Sequence, residues 1–399
     1  MDVVSRIQGF NAGRDPERLA MKYRAMRTGP FAFLRGSCHL FYERLPRGGV
    51  FKSAPSVWVC GDLHLENFGS YKGDNRLVYF DVNDFDESAL APASWDLVRL
   101  MTSLRIEVDG SSVGEVRKLM LCQTFLDAYA STLVLGKAYW VERETAQGLV
   151  RELLDRLRDR QRATFLDSRT VLKRKQRLLR VDGKKALPPT DPQRAAITTF
   201  MREFAKTQAQ PEFFNVLDVA RRVAGTGSLG VERYAILVQG KGSPDGNYLL
   251  DLKQALPSSL LPNLKVAQPK WKNEAQRIVA VQRRMQAVAM AFLQPVLFAE
   301  TPCVLRALQP SEDRVPVSSS HRTRCDLDHL MRTMGQLVAW AQLRSAGRDG
   351  SAIADELIDF GSRKKWKEQL LGASQDCAVQ VCKDAATFNA AWDDGQFRA

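Results

Sequence analysis

Apolar residues recur at helical spacing through residues 95–135, at Leu97, Leu100, Met101 and Leu104 and then at Leu119, Leu121 and Phe125. This predicts two core helices broken at Asp109-Gly110. Ahead of them, Val57-Trp58-Val59-Cys60 and Arg76-Leu77-Val78-Tyr79-Phe80-Asp81 are short apolar runs of strand type, with Lys72-Gly73-Asp74-Asn75 as the turn between them. Residues 216–253 alternate and turn as a β-meander, with strands expected over 218–224, 232–239 and 247–253. Further on, 274–292 is amphipathic and helical, 303–308 reads as a strand and 327–344 as a helix. Residues 1–50 predict one or two helices around Pro30-Phe31-Ala32-Phe33-Leu34-Arg35-Gly36, and 350–399 read as short helices.

Composition narrows the class. A chain of 399 residues exceeds the ~250–300 residues at which single cores stop growing, so two or three lobes are expected. Hydrophobic residues at 45% and charged residues at 26% describe an ordinary globular protein. The net charge of +13 favours phosphates, nucleotides, nucleic acid or anionic lipid as partners without choosing among them. Many of the cations fall in 142–185, including Lys173-Arg174-Lys175 and Lys184-Lys185, and read as a solvated helix face and a surface hairpin. The seven cysteines form no CxxC pair, which argues against a zinc site and a disulfide framework. The opening residues lack an export pattern, and no run approaches ~18 apolar residues, so a cytoplasmic protein without a membrane span is expected.

The most specific chemistry lies in Gly61-Asp62-Leu63-His64-Leu65-Glu66-Asn67, followed after a turn by Asp81-Val82-Asn83-Asp84-Phe85-Asp86-Glu87. Acids and an asparagine crowded at two strand ends are costly unless something cationic sits among them. Magnesium bound to triphosphate is such a partner, since it takes one or two carboxylates together with phosphate oxygens. His64 by itself reads as a structural histidine.

A second signal is Gly225-Thr226-Gly227-Ser228-Leu229-Gly230, a G-x-G-x-x-G run. A dinucleotide fold needs that run between a strand and a helix, whereas Val231 to Val238 continue here as a strand. A strand-loop-strand cover over phosphates is the better reading. The next strand, Tyr248-Leu249-Leu250-Asp251-Leu252-Lys253, ends on a lysine.

The acidic segment resembles the aminoglycoside-phosphotransferase branch of the protein-kinase-like superfamily, whose loop reads G-D-x-H-x-x-N with an aspartate on the next hairpin. The resemblance implies that Asp62 takes the acceptor hydroxyl's proton and that Asn67 binds metal. For the chelating aspartate, Asp81, Asp84 and Asp86 are candidates. In the family a Trp-Asp-Leu begins a helix about twelve positions after that aspartate, and Trp95-Asp96-Leu97 selects Asp84, with Asp86 retained as a second metal residue. Asp96 is then structural, bracing the catalytic-loop backbone. Gly225, Gly227, Ser228 and Gly230 are expected to cover the nucleotide phosphates and Lys253 to anchor them, oriented by Glu274. Arg35 is expected to pack on the catalytic loop.

In ordinary kinases the glycine loop and lysine precede the catalytic loop; here they follow it. Circular permutation reconciles the order, with the helix at 327–344, containing Gly335-Gln336-Leu337, resembling the one that normally leads into the catalytic loop. An uncharacterised bacterial family of this superfamily has the same order and similar segments, including Asn83-Asp84-Phe85-Asp86-Glu87 and Trp95-Asp96-Leu97-Val98-Arg99-Leu100. The chain departs from it at Gln254, where an acid is expected. The fold implied is α+β, a kinase-like two-lobe protein with permuted lobes. Residues 1–212 hold the catalytic-loop half of a helical lobe, 213–312 a nucleotide-binding sheet lobe and 313–399 the helices that complete the first. The function implied is ATP- and magnesium-dependent phosphoryl transfer to a hydroxyl of a small molecule or protein. AMP transfer to a protein and a non-catalytic nucleotide- or nucleic-acid-binding scaffold are the alternatives.

Overall fold

The computed structural model describes residues 2–107, 114–310, 313–315 and 324–397. The expected helix break at Asp109-Gly110 lies outside these. On either side of it run the helices Ser94–Glu107 and Glu115–Leu135. Twelve strands occur among the described residues: β1 (Ser56–Val59), β2 (Phe68–Lys72), β3 (Val78–Val82), β4 (Ala89–Pro92), β5 (Thr170–Lys173), β6 (Gln176–Leu179), β7 (Ala186–Leu187), β8 (Val216–Arg222), β9 (Arg233–Val238), β10 (Tyr248–Gln254), β11 (Gln294–Phe298) and β12 (Thr301–Ala307). The molecule is a mixed α+β fold with distinct helical and small-sheet regions.

The sheet region is a six-stranded antiparallel sheet in the order β11-β12-β10-β9-β8-β7. Strands β8 to β10 fall where the meander was expected. Alternation along β9 and β10 sends Tyr234, Ile236, Leu250 and Leu252 to one face, where Ile197 and Met201 of the helix Asp191–Lys206 cover them. The opposite face carries Arg233 beside Lys253 and Asp251 beside Arg306, and it looks towards the helical region. Residues 162–206, grouped with the helical lobe in the sequence, pack on this sheet instead. Leu166, Leu179 and Ala186 share a small core with Ala220, Ala235 and Leu249. The polar, basic texture of that stretch hid the few apolar residues that dock it.

The helical region holds the main core. The helix Arg324–Ser345 runs along Glu115–Leu135, where Gly335 lies against Phe125 and Tyr129 and Tyr129 Oη donates to Gln342 Oε1. After this helix the chain returns to β1: Ala352 N donates to Ser56 O at 2.7 Å, and Trp58 Nε1 donates to Arg348 O at 3.0 Å.

Four expectations about elements are corrected. The two apolar runs at 57–60 and 76–81 do not pair with each other: β1 pairs with β4, and β3 with β2. Strand β2 was illegible because Phe68, Gly69, Ser70 and Tyr71 are all buried and so show no alternation. The helix expected over 274–292 ends at Met285, and β11 follows it. Apolar residues continue past that end because Val288 and Met290 pack against the β2–β3 turn, where Ala291 N donates to Lys72 O at 3.0 Å. The C-terminus forms one 29-residue helix, Lys365–Asp393, after Ala354–Ser362, and five short helices fill residues 3–53 in place of one or two.

Cations of the basic stretch are largely paired. Arg143 and Arg151 share Asp155 at 3.0 and 3.1 Å, and Arg177 bridges Asp167 and Asp245 at 2.6 and 2.7 Å. Lys173, Arg174 and Lys175 sit exposed at the β5–β6 turn. No helix among the described residues is long and apolar enough to cross a membrane.

Candidate active site

Strand β1 delivers the chain to a sharp turn at Gly61, whose φ of +85° and position against the Glu87 carbonyl leave no room for a side chain. The turn is braced from below by the helix Ser94–Glu107. Asp96 accepts from Cys60 N at 2.9 Å and Gly61 N at 3.0 Å, Arg99 reaches Asp62, and Ser103 Oγ accepts from Leu65 N at 3.2 Å. Residues 96, 99 and 103 form one helical stripe, so a single helix face holds the whole loop. Asp96 thus has the bracing position expected of it.

Asp62 lies at the cleft floor with its Oδ1 taken by Arg99 Nε at 2.8 Å and by Arg99 Nη2. Arg99 is wholly buried, donates also to Leu34 O at 2.9 Å, and stacks its guanidinium over Phe41 and Tyr42. Burial pushes the Asp62 carboxyl up from its ordinary pKa, and Arg99 opposes that rise. Asn67 closes the short turn Leu65–Asn67 and donates its Nδ2 to Asp62 O, which leaves Oδ1 for another partner. His64 is buried, accepts from Glu66 N at 3.2 Å, and burial drives its pKa well below the usual value, so it is neutral. Arg35 holds Glu66 at 2.6 Å, packing on the loop of residues 61–67.

Strand β3 brings in the remaining acids. Asp81 points away from the cleft to Arg344 at 3.3 Å, and burial raises it to about 6. Asp84 and Asp86 line the cleft. Burial works against ionisation of Asp84, but Lys253, Arg306 and Arg233 outweigh it and hold its pKa below the usual value. Asp86 pairs with Lys253 Nζ, which also donates to Ser228 Oγ at 2.7 Å.

Gly225, Gly227 and Ser228 close the cleft from above, so two stretches far apart in the chain face each other across it. A Cβ at Gly227 would stand 3.0 Å from Arg35 O and 3.9 Å from Asp62 Oδ2. Gly230 sits on the outer side, its carbonyl accepting from Asp15 N at 3.0 Å. The cleft, with its open mouth, encloses about 820 Å³.

Glu274 does not orient Lys253. It pairs within its own helix, Glu274–Met285, with Arg277 at 2.6 Å, and Asp86 takes the lysine because it is the carboxylate that β3 and its following loop place under β10. That helix contributes Arg277 instead. Wholly enclosed, Arg277 donates to Asp86 O at 2.9 Å, Leu256 O at 3.0 Å and Ser88 O at 2.5 Å, fixing the acidic loop to the segment after β10. Arg277 carried no sequence signal beyond its place in an amphipathic helix. Arg99 did, as a lone cation in the apolar run from Leu97 to Leu104.

Whether these residues suit a magnesium ion follows from the donor set. Among the described residues no three His, Cys, Asp or Glu side chains are grouped to hold a metal on their own. One ionised carboxylate, Asp84, beside one amide, Asn67, suits an ion that takes its other ligands from phosphate and water.

A family model described as an uncharacterised protein conserved in bacteria, DUF2252, matches residues 14–391. The chain belongs to this family. No curated protein and no solved structure matches it. The matched span takes in residues 61–67, the glycine-rich loop, Lys253 and the helix Arg324–Ser345, so every residue of the cleft except Phe10 belongs to the family's common region.

Proposed function

We propose that this DUF2252 protein is an ATP- and magnesium-dependent phosphotransferase with a circularly permuted, protein-kinase-like fold, acting in the cytoplasm on a hydroxyl-bearing acceptor. The observation that carries this reading is the convergence of Asp62, Asn67, Asp84 and Lys253 on one cleft under residues 225–228. The permutation is supported by the return of the chain from Arg324–Ser345 to the start of β1, where Ala352 meets Ser56. A helix that ordinarily leads into the catalytic strand ends beside it here without being its sequence predecessor.

In this reading Asp62 Oδ2, the oxygen not held by Arg99, accepts the proton of the acceptor hydroxyl. The acceptor oxygen bonds to the γ-phosphorus as the bond from that phosphorus to the β,γ-bridging oxygen breaks, and ADP leaves. Lys253 exchanges Asp86 for a phosphate oxygen, and residues 225–228 exclude water above it. Asn67 and Asp84 would hold magnesium, which neutralises phosphate charge. Calorimetry of ATP binding with and without magnesium tests the site. Binding that needs magnesium and is lost in Asp84→Asn is expected; unchanged magnesium-dependent turnover in that variant would overturn the assignment.

A second reading, AMP transfer with the nucleotide reversed, is favoured by a basic, open pocket beside β6, β7 and β8. Leu249 and Leu308 are among its lining, with Arg169, Arg180, Lys185 and Arg222 against the single acid Asp182. That charge suits a triphosphate tail better than a base. ATP labelled separately at the α- and γ-phosphates separates the readings, because only one label reaches the acceptor in each.

A further inference from the structure

The glycine-rich loop is held from outside by a segment that belongs to the other region of the molecule. Residues 3–26 are anchored in the helical core through Val3, Ile7 and Met26, and Tyr23 packs its ring on Phe388 and Phe397 of the C-terminal segment. From that anchorage they reach across to the loop. Arg14 Nη1 donates to Gly227 O at 2.7 Å and Leu229 O at 3.1 Å, Lys22 Nζ to Gly227 O at 3.1 Å, Asp15 N to Gly230 O at 3.0 Å and Arg18 Nη1 to Val231 O at 3.0 Å. Four loop carbonyls are therefore turned outward onto one strap. In return Arg221, at the end of β8, donates to Asp15 Oδ2 at 3.2 Å and pairs with Glu17.

Lys22 is the costly member of this set. It is wholly buried, its Nζ meets only neutral acceptors in Gly227 O and Asn11 Oδ1 at 2.8 Å, and burial drives its pKa well down. A buried cation of that kind is expensive to keep for anchorage alone. The carboxylates of Glu87 and Asp62, both on the cleft, oppose that fall in pKa, and Arg14 itself lines the cleft. The strap therefore sets the loop's position and also brings the Arg14 guanidinium and the Lys22 amine behind Gly227, directly above Asp62.

We infer that Arg14 and Lys22 are positioning residues that hold the glycine-rich loop closed over Asp62, so that the N-terminal strap acts as the closing element of the cleft. The loop belongs to the sheet yet is fixed to the helical region, so opening the cleft requires release of the strap. The structural half of this inference rests on the hydrogen bonds alone, and its effect on nucleotide rests on the reading of the cleft given above.

Hydrogen exchange in the full-length chain tests it, with Arg14→Ala and Lys22→Met compared with the parent and with Arg14→Lys. Amides of residues 225–232 should exchange at least tenfold faster in both variants, while those of Glu115–Leu135 and Arg324–Ser345 are unchanged, and Arg14→Lys should restore part of the protection. Magnesium-ATP affinity should fall about tenfold in Arg14→Ala, with the loss in KM rather than kcat. Unaltered loop exchange in Arg14→Ala would overturn the inference whatever the activity, and it needs no folded Lys22 variant. Faster loop exchange in a protein whose parent binds no nucleotide would uphold the strap and reject the nucleotide reading.

Discussion

Arg99 binds Asp62 through one oxygen only: Nε and Nη2 both converge on Oδ1, and Oδ2 is left beneath Gly227. A bidentate fork that engaged both oxygens would satisfy the carboxylate and take it out of chemistry. The one-sided contact fixes the side chain's direction and opposes the effect of burial on its charge. In the proposed role of base Asp62 must be ionised to accept a proton, so the rate should rise with pH through its elevated pKa. In Arg99→Met the opposing cation is gone, and the acid limb of the pH–rate profile should move to higher pH. Arg99→Lys should recover part of that shift. An acid limb that stays in place in a folded Arg99→Met protein would remove Arg99 from this role.

Asp96 carries the loop backbone, and its two oxygens are the acceptors for Cys60 N and Gly61 N. Asp96→Ala leaves both N–H groups buried and unpaired, at about 1–3 kcal/mol for each such group. Urea denaturation should show a loss of roughly 2–4 kcal/mol, with residual activity falling further than stability because the loop that carries Asp62 and Asn67 is released. A loss below about 0.5 kcal/mol would mean that the loop is held elsewhere.

Asp81 gives a pH dependence of stability with a definite sign. Burial raises it to about 6 from the ordinary 3.8, against the pull of Arg344. The native state therefore holds the proton more tightly than the unfolded chain between those values. In that window ν for the native state exceeds ν for the unfolded state, so this group's contribution to stability falls as pH rises from about 4 to about 6 and is level above. Asp81→Asn removes that term. The difference in unfolding free energy between Asp81→Asn and the parent should grow in the variant's favour across the window, by no more than about 3 kcal/mol. A difference that is flat with pH would assign Asp81 an ordinary pKa.

Much of the site was legible because its chemistry is local in sequence. The spacing from Asp62 to Asn67, the acids after β3 and the glycine run before β9 are each set by one turn of chain, and the meander announced itself by alternation. What was illegible depends on long-range burial. Strand β2 has no polar face to alternate with. Lys253 finds Asp86 across 167 positions, and no helical pattern distinguishes that partner from Glu274. The strap residues Arg14 and Lys22 look like surface cations in sequence, since nothing in residues 10–22 records that the glycine loop lies against them.

The Lys253–Asp86 pair makes the last prediction, because it separates two roles for Asp86. A triphosphate that reaches Lys253 Nζ must displace the Asp86 carboxylate, so that acid competes with the nucleotide when magnesium is absent. Removing its charge in Asp86→Asn should then strengthen magnesium-free ATP binding, by up to about tenfold, since a rival carboxylate that is itself partly exposed contributes on the order of 1 kcal/mol. If Asp86 also holds the metal, the same variant should lose much of the further gain that magnesium brings, and the two titrations should draw together. Lys253→Met should weaken ATP binding under both conditions, because the anchor itself is gone. Weaker binding of magnesium-free ATP to Asp86→Asn would show that Asp86 orients the lysine for phosphate rather than competing with it.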